Sequence, residues 1–169
     1  LRKLGSLRPD KATGPDEMSP RLLKALKEEI SWPIFHILRK SLDDGTIPDD
    51  WKQSNVSPIY KRKGEKLLAS NYRPISLTSL IGKLCESIIR DEIVAHLEKH
   101  KLIRNSQHGF RHGLSCVSNL LEFLERVTKS MDEENSVDAI YLDFAKAFDK
   151  VPHRRLKRKI ERHGIGGKV

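Results

Sequence analysis

The sequence is poor in several features that would place it in other protein classes. Its 169 residues include only two cysteines, Cys85 and Cys116, which stand far apart without a CxxC pair, so neither a disulfide framework nor a four-cysteine zinc site is supported. No apolar run approaches the roughly 18–20 residues that a membrane span requires, and the chain opens without a signal-peptide pattern. We therefore expect a reduced intracellular protein with no membrane and no disulfide-linked partner.

Positive charge, by contrast, is in excess, with 32 Lys and Arg against 23 Asp and Glu. The excess is uneven, because residues 131–149 hold six acidic and one basic residue (net −5), whereas residues 150–169 hold eight basic and one acidic residue (net +7). Two solvated surface faces would explain this pattern. The sharper interpretation is a cation site beside a phosphate-binding track, since divalent cations prefer carboxylate oxygens and nucleic-acid backbones attract Lys and Arg.

Apolar spacing and capping residues predict four helices in the first 131 residues. Ser19-Pro20 and Ser31-Trp32-Pro33 are helix starts, and Gly45 ends the second helix. Two longer amphipathic helices are predicted from about Gly82 to His100 and from Ser115 to Met131. The last of them should turn an apolar stripe inward, which consists of Val117, Leu120, Leu121, Leu124 and Val127.

Extended structure is predicted in three places, and the whole pattern indicates an α+β fold in which helices dominate. Asn55 to Tyr60 is β-rich, and Asn71 to Thr78 is a loop or extended around Pro74. Val137 to Phe144 is a strand candidate, followed by a helical turn at 145–149 and a basic helix from His153 to His163.

Asp143 lies near the end of the third predicted strand, where the backbone would fix a carboxylate that still meets solvent. Rigid carboxylates of this kind hold the divalent ions of polymerases. From spacing alone, an Asp that caps the following turn is the more ordinary explanation.

The amino-acid sequence of this segment resembles a motif of a known protein family. Tyr141-Leu142-Asp143-Phe144-Ala145-Lys146-Ala147-Phe148-Asp149-Lys150-Val151 is similar to the first catalytic-aspartate motif of reverse transcriptases, above all those of LINE-type, non-LTR retrotransposons of the jockey and CR1-like groups. Four other blocks resemble the family in the same order along the chain. They are Lys11–Asp16, Trp51–Lys61, Asn71–Leu77 and Ser106–Arg111.

The resemblance implies a partial right-hand polymerase fold and a set of functional residues. Residues 1–135 would be the N-terminal extension and fingers, and residues 136–169 the start of the palm. Asp143 would be catalytic and bind Mg²⁺ together with the backbone carbonyl of Phe144. The remaining implied residues fall into three groups. The nucleotide-binding group is Lys61, Lys63, Arg73 and Phe148; the template group at the fingers–palm junction is Gln107, Gly109, Phe110 and Arg111; the nucleic-acid backbone group is Lys150, Arg154, Arg155, Lys157 and Arg158.

For these residues the sequence leaves structural alternatives open. Phe148 would otherwise be a core aromatic, and Arg73 would otherwise be a buried partner of a helix carboxylate. Lys63 competes closely with Lys61. The partners implied are an RNA template, a DNA primer or target and deoxynucleoside triphosphates, in the nucleus and cytoplasm.

The family pattern is incomplete in this sequence. The Y-x-D-D motif with the second pair of catalytic aspartates is absent, as is the G-x-P-Q-G loop that precedes it. Leu114 and Leu68-Ala69 also depart from the usual residues, which raises the question of a decayed copy. Because the chain begins at Leu1 rather than Met and ends without a terminal helix, we expect an excerpt of a longer reading frame that is inactive alone.

Two other functions compete with a polymerase fragment. His108, His112 and Cys116 have a four-residue spacing that suits a zinc-containing module, although glycines interrupt the segment and a fourth ligand is missing. A non-catalytic basic nucleic-acid-binding remnant or adaptor would need only the Arg154–Arg162 helix. Aromatic residues make up just 6% of the chain, which gives weak support to a platform for stacking single-stranded bases.

Overall fold

The computed structural model describes residues 1–144 and 147–167, which divide into two compact units. The first unit is Leu1–Ile93 with a short piece of the chain end, and the second unit is Val94–Ile165. The first unit contains α1 (Arg2–Gly5), α2 (Pro20–Ala25), α3 (Lys27–Asp44), α4 (Asp49–Lys52), β1 (Ser54–Tyr60), β2 (Tyr72–Thr78) and most of α5 (Leu80–Lys99). The second unit contains the end of α5, α6 (Cys116–Asp132) and α7 (His153–Arg162).

The core of the first unit is apolar and is built by four of its helices. The side chains that are buried come from α1, α2, α3 and α5. They are Leu4, Leu23, Ile34, Leu38, Leu80, Ile81, Leu84 and Cys85. Burial raises the pKa of the Cys85 thiol, which therefore behaves as a small apolar core residue.

The predicted helix start at Pro20 and the end at Gly45 are confirmed, but α3 begins earlier than predicted. It starts at Lys27 and includes Pro33 in its interior. Proline lacks an N–H, so the carbonyl of Glu29 loses its helical partner; Glu29 is exposed, and water can replace that bond. Glu28 and Glu29 in the first turn also stabilise the positive end of the helix.

β1 and β2 form an antiparallel pair in which Ser54 lies opposite Thr78 and Tyr60 opposite Tyr72. The predicted strand and the predicted extended segment are therefore partners. Pro58 faces Pro74 in this register, which a two-stranded sheet tolerates because each strand is an edge. In the described part of the chain, no helix is long and apolar enough to cross a membrane.

The predicted strand from Val137 to Phe144 is wrong. The segment has no regular secondary structure, and Ile140, Leu142 and Phe144 are exposed. A strand needs a neighbour to accept its backbone hydrogen bonds, and the sheet formed by the described residues contains only β1 and β2. Of the predicted turn at 145–149, Ala145 and Lys146 lie outside the described residues.

Helix α6 forms where predicted, but the prediction that its apolar stripe faces inward is wrong. Ser115 caps the helix, and its hydroxyl accepts a 3.2 Å hydrogen bond from the Ser118 amide. Val117, Leu120, Leu121 and Leu124 are nevertheless exposed. Periodicity and capping decide that a helix forms, whereas burial also requires a second surface to cover the stripe.

Candidate functional site

Two of the predicted nucleotide-binding cations lie on one face of the β1–β2 hairpin in the first unit. Arg73 is paired with Ile59, and the Lys61 amide donates a 2.8 Å hydrogen bond to the Asn71 carbonyl one step further along the ladder. Because side chains alternate between the faces of a strand, Lys61 and Arg73 are diagonal neighbours on the same face. Arg73 is exposed, so the alternative of a buried arginine is wrong.

The loop that joins β1 to β2 is held by its own side chains. The Lys61 ammonium donates to the Ser70 carbonyl at 2.7 Å, and the Tyr72 hydroxyl donates to the Lys66 carbonyl at 2.8 Å. The Asn71 side chain donates to the Glu65 carbonyl at 2.8 Å. The Lys61 side chain is thus hydrogen-bonded within the loop, whereas Lys63 is an exposed loop residue.

In the second unit, the predicted template group lies in a turn between α5 and α6. The Gln107 side chain bridges this turn by donating to the Gly109 carbonyl at 3.2 Å. A Cβ at Gly109 would lie 3.3 Å from the Gln107 amide nitrogen, so the bridge leaves little room for a larger residue. Phe110 has φ of 63°, in the left-handed region that bulky residues avoid, and its ring is 91% exposed. The turn therefore presents an aromatic ring to solvent at a strained position.

Arg111 is engaged within the protein. Its guanidinium donates to both carboxylate oxygens of Glu98 on α5, at 2.9 Å and 3.2 Å, and to the Arg104 carbonyl at 3.3 Å. The hydrogen bond from Arg111 holds the pKa of Glu98 below its ordinary value. This fork ties the end of the turn to α5, a role that the sequence did not predict for Arg111.

The structure brings Phe148 and Phe110 together. Their ring centroids are 6.5 Å apart and the ring planes stand nearly perpendicular, at 86°, which is a favourable edge-to-face arrangement. Phe148 is 80% exposed, so the alternative of a core aromatic is wrong. One residue from the predicted nucleotide group and one from the predicted template group therefore lie side by side.

Asp143 and Phe144 are exposed in irregular backbone rather than at the end of a strand. Over residues 1–144 and 147–167, no three His, Cys, Asp or Glu side chains come together in a way that could hold a metal ion. The alternative zinc module therefore finds no support in His108, His112 and Cys116. The same result means that Asp143 does not belong to a cluster of three or more such side chains among the described residues.

The basic group near the chain end is carried by α7, except for Lys150, which lies in the turn before that helix. The predicted helix from His153 is confirmed, and Lys150, Arg154, Arg155, Lys157 and Arg158 are all exposed. Lys157 lies 4.0 Å from Glu161, the one acidic residue of this helix. Most of the positive charge of α7 is therefore directed to solvent.

His108, which the sequence suggests only as a candidate zinc ligand, makes contacts in the structure that its spacing did not predict. His108 is buried, and its two ring nitrogens lie 2.9 Å from the Ser118 hydroxyl and 2.7 Å from a Glu122 carboxylate oxygen. The hydrogen bond with His108 is the main cause that lowers the pKa of Glu122. The available signal was the spacing of Ser118 and Glu122, four residues apart and so on one face of α6.

Comparison with known proteins agrees with the motifs. Residues 59–168 match the family described as reverse transcriptase (RNA-dependent DNA polymerase). The chain is 28% identical over 162 residues to a probable RNA-directed DNA polymerase from transposon BS of Drosophila melanogaster, covering 96% of this chain and 18% of that protein. It is 31% identical over 152 residues to the corresponding probable polymerase from transposon X-element of the same species, covering 90% of this chain and 17% of the relative. It is also 25% identical over 154 residues to a retrovirus-related Pol polyprotein from the type-1 retrotransposable element R2 of Popillia japonica, covering 91% of this chain and 20% of the relative. The chain thus spans about a fifth of the length of these relatives, and it belongs to the reverse transcriptase family, among the polymerases of non-LTR retrotransposons.

Proposed function

We propose that the chain supplies the fingers and the first part of the palm of an RNA-directed DNA polymerase, with the boundary near residue 135. The observation that carries this proposal is the edge-to-face contact between Phe110 and Phe148. These residues belong to two separate motifs, each of which the family resemblance assigns to one side of the nascent base pair. Their contact supports a common site for template and incoming nucleotide.

The cations have separate roles in this proposal. Lys61 and Arg73 share one face of the hairpin and would bind the triphosphate of a deoxynucleotide, where fixed positive charge stabilises the charge that develops on the phosphates. Lys63, exposed in the same loop, is the competing ligand. The exposed residues of α7 would follow the phosphate backbone of the RNA template or DNA primer.

The described residues do not by themselves fit a two-ion Mg²⁺ site. Two ions require several carboxylate or carbonyl oxygens, and no cluster of three or more His, Cys, Asp or Glu side chains forms among the described residues. We therefore assign no metal-dependent step to this chain in isolation. In a complete polymerase, Asp143 and the Phe144 carbonyl would contribute part of the ligand set, and the chain alone would be inactive.

The experiment that tests this function is primer extension on an RNA template by a full-length polymerase that carries this segment. Asp143→Ala should reduce extension by more than about a hundredfold, the scale on which loss of one electrostatic stabiliser acts. Asp138→Ala removes another exposed carboxylate from the same irregular segment and should leave extension near the wild-type rate. Equal rates for the two variants would refute the role of Asp143.

A second candidate is a nucleic-acid-binding remnant without catalysis. It is favoured by the exposed cations of α7 and by the absence of a cluster of three metal-ligating side chains among the described residues. Both candidates require the 169-residue chain to bind an RNA–DNA hybrid with an affinity that falls steeply as salt rises. They separate in the extension assay, because a remnant placed in a full-length chain would give no extension even with Asp143 intact.

A further inference from the structure

The second unit contains one buried residue among those that the structure describes, and that residue is His108, at 8% exposure. It stands between Gln107 and Gly109, inside the turn that presents Phe110. Protein interiors leave few buried polar groups without hydrogen bonds, so the position of an imidazole there depends on its partners.

Both partners of His108 belong to α6 and lie one helical turn apart. Nδ1 is 2.9 Å from the Ser118 hydroxyl, and Nε2 is 2.7 Å from the Glu122 carboxylate. Glu122 is also paired with Arg126 on the next turn of the same helix. The imidazole therefore bridges two successive turns of α6 and holds the preceding turn against that helix.

The hydrogen atoms of this cluster can be assigned from its acceptors. An ionised carboxylate only accepts, so Nε2 carries a proton and donates to Glu122. The Ser118 hydroxyl accepts a 2.8 Å bond from the Ser115 amide and lies 2.9 Å from the Ser115 carbonyl as well as from Nδ1. The single hydrogen of the Ser118 hydroxyl can point either to the Ser115 carbonyl or to Nδ1. His108 therefore keeps its contacts with Ser118 and Glu122 whether or not Nδ1 carries a proton. The charged groups that face the ring are Glu122 and, behind it, Arg126.

The turn that His108 holds is strained and is anchored on both sides of the strained residue. Phe110, with its positive φ, stands between His108, which is bonded to α6, and Arg111, which is bonded to Glu98 on α5. A bulky residue remains in the left-handed region only where its surroundings fix the backbone. These two anchors supply that fixation, and the Phe110 ring then meets the edge of Phe148.

We propose that His108 is a positioning residue that fixes the 107–111 turn to α6 through Ser118 and Glu122, and so places the Phe110 ring against Phe148. The assignment of that ring pair to the nascent base pair rests on the proposed function. The fixation of the turn by His108 does not rest on the proposed function, because every contact that produces it lies within the second unit of the chain.

The proposal is tested on the 169-residue chain without nucleic acid, so that its failure is distinguishable from failure of the polymerase assignment. 4-Fluorophenylalanine at position 110 reports the surroundings of the ring by ¹⁹F NMR, and amide exchange reports the turn. His108→Phe keeps a ring but removes both hydrogen bonds, and it should accelerate exchange at 107–111 by about tenfold or more and shift the ¹⁹F resonance, because the Phe110 ring leaves the edge of Phe148. His112→Phe, at an exposed histidine in the same stretch, should change neither. An unchanged resonance and unchanged exchange in His108→Phe would overturn the proposal.

Two conservative variants separate positioning from general stability. His108→Gln can still donate to Glu122, and His108→Asn can still reach Ser118, so each should restore part of the ¹⁹F shift that His108→Phe loses. If His108 only filled space, Phe would replace it better than Gln or Asn. A ¹⁹F resonance closer to the wild type in His108→Phe than in the other two variants would therefore overturn the proposal. In the wild-type chain, where folding is not at issue, ¹⁵N NMR at neutral pH should show a protonated Nε2. An unprotonated Nε2 would also overturn it.

Discussion

The two units of this chain are built from similar amphipathic helices but are stabilised differently. Helices of the first unit bury an apolar cluster that includes Leu38 and Leu84. In the second unit the one buried residue among those described is the polar His108, and Leu120 and Leu121 on α6 are exposed. Apolar periodicity makes a helix able to pack, and only a covering surface makes it pack. The first unit therefore depends on burial, and the second depends on capping, ion pairs and side-chain hydrogen bonds.

The difference in what stabilises the two units is tested most strongly by truncating one leucine in each unit. Leu84→Ala removes a buried side chain, at 5% exposure, and should lower the free energy of unfolding by about 2–5 kcal/mol, because it loses apolar burial and leaves a cavity. Leu120→Ala, at 56% exposure, should change it by less than about 0.5 kcal/mol. Urea unfolding combined with amide exchange resolved by residue measures both. Comparable losses at the two sites would show that the α6 stripe is covered in solution.

A second test uses close backbone packing, which is a feature of the first unit. A Cβ at Gly14 would lie 2.4 Å from the Thr78 carbonyl oxygen and 2.9 Å from the Ser79 amide nitrogen, so β2 and the start of α5 would have to move. Gly14→Ala should cost about 1–3 kcal/mol, as overpacked substitutions do. Gly166→Ala, where a Cβ has no neighbour within 4 Å, is the matched control. A neutral Gly14→Ala in thermal unfolding would mean that this contact yields easily.

Some features are decided by local chemistry and others by a neighbouring element, and this difference explains which of them could be predicted from the sequence. Helix limits such as Pro20 and Gly45 follow from local chemistry, and they were confirmed because proline suits the first helical position and glycine takes the left-handed conformation that ends a helix. The sequence predicts a helix start at Pro33, which lies inside α3 instead, where water can bond to the exposed Glu29 carbonyl in place of the missing proline N–H. The strand at 137–144 was wrong, since strand formation is decided by a neighbour and not by the segment itself.

The candidate site shows the same division. Motif order predicts nucleotide-binding roles for Lys61, Arg73 and Phe148, and the register that puts Lys61 and Arg73 on one face is compatible with those roles without testing them. The contacts of His108 could not be predicted, because a histidine in a turn has no periodic pattern and its partners Ser118 and Glu122 are known only once α6 is placed beside it. The roles of Asp143, of the nucleotide-binding and template groups and of the α7 cations all remain predictions.

Capping gives a third and smaller comparison, between two serines at equivalent helix positions. Ser115 accepts a hydrogen bond from the Ser118 amide at the start of α6, whereas Ser19 at the start of α2 makes no side-chain cap bond. Ser115→Ala should therefore cost about 1 kcal/mol and accelerate exchange in the first turn of α6, and Ser19→Ala should have almost no effect. Measurement of both by amide exchange and far-UV circular dichroism decides the matter. Equal effects would mean that the second unit does not depend on its cap.

Lowering the pH should change the difference between the two units by the smallest amount, because the carboxylates of Glu98 and Glu122 are partly exposed and solvent screens them. Hydrogen bonds from Arg111 and His108 hold the pKa values of Glu98 and Glu122 below the ordinary value of 4.5. Because the folded pKa is lower than the unfolded one, each carboxylate stabilises the fold fully above about pH 4.5 and loses that contribution as the pH falls through the folded value.

The two units should therefore lose protection in a fixed order as the pH is lowered from 5. The first unit contains three carboxylates whose pKa is lowered by basic neighbours, namely Asp10, Asp49 and Asp91, but its apolar core carries no titratable carboxylate and keeps its stability. Amide exchange should show α6 and the 107–111 turn opening first, and the double variant Glu98→Gln, Glu122→Gln should flatten that response while leaving the first unit as in the wild type. If the first unit opened earlier, or if the double variant stayed as acid-sensitive as the wild type, the stability of the second unit would have to come from apolar burial after all.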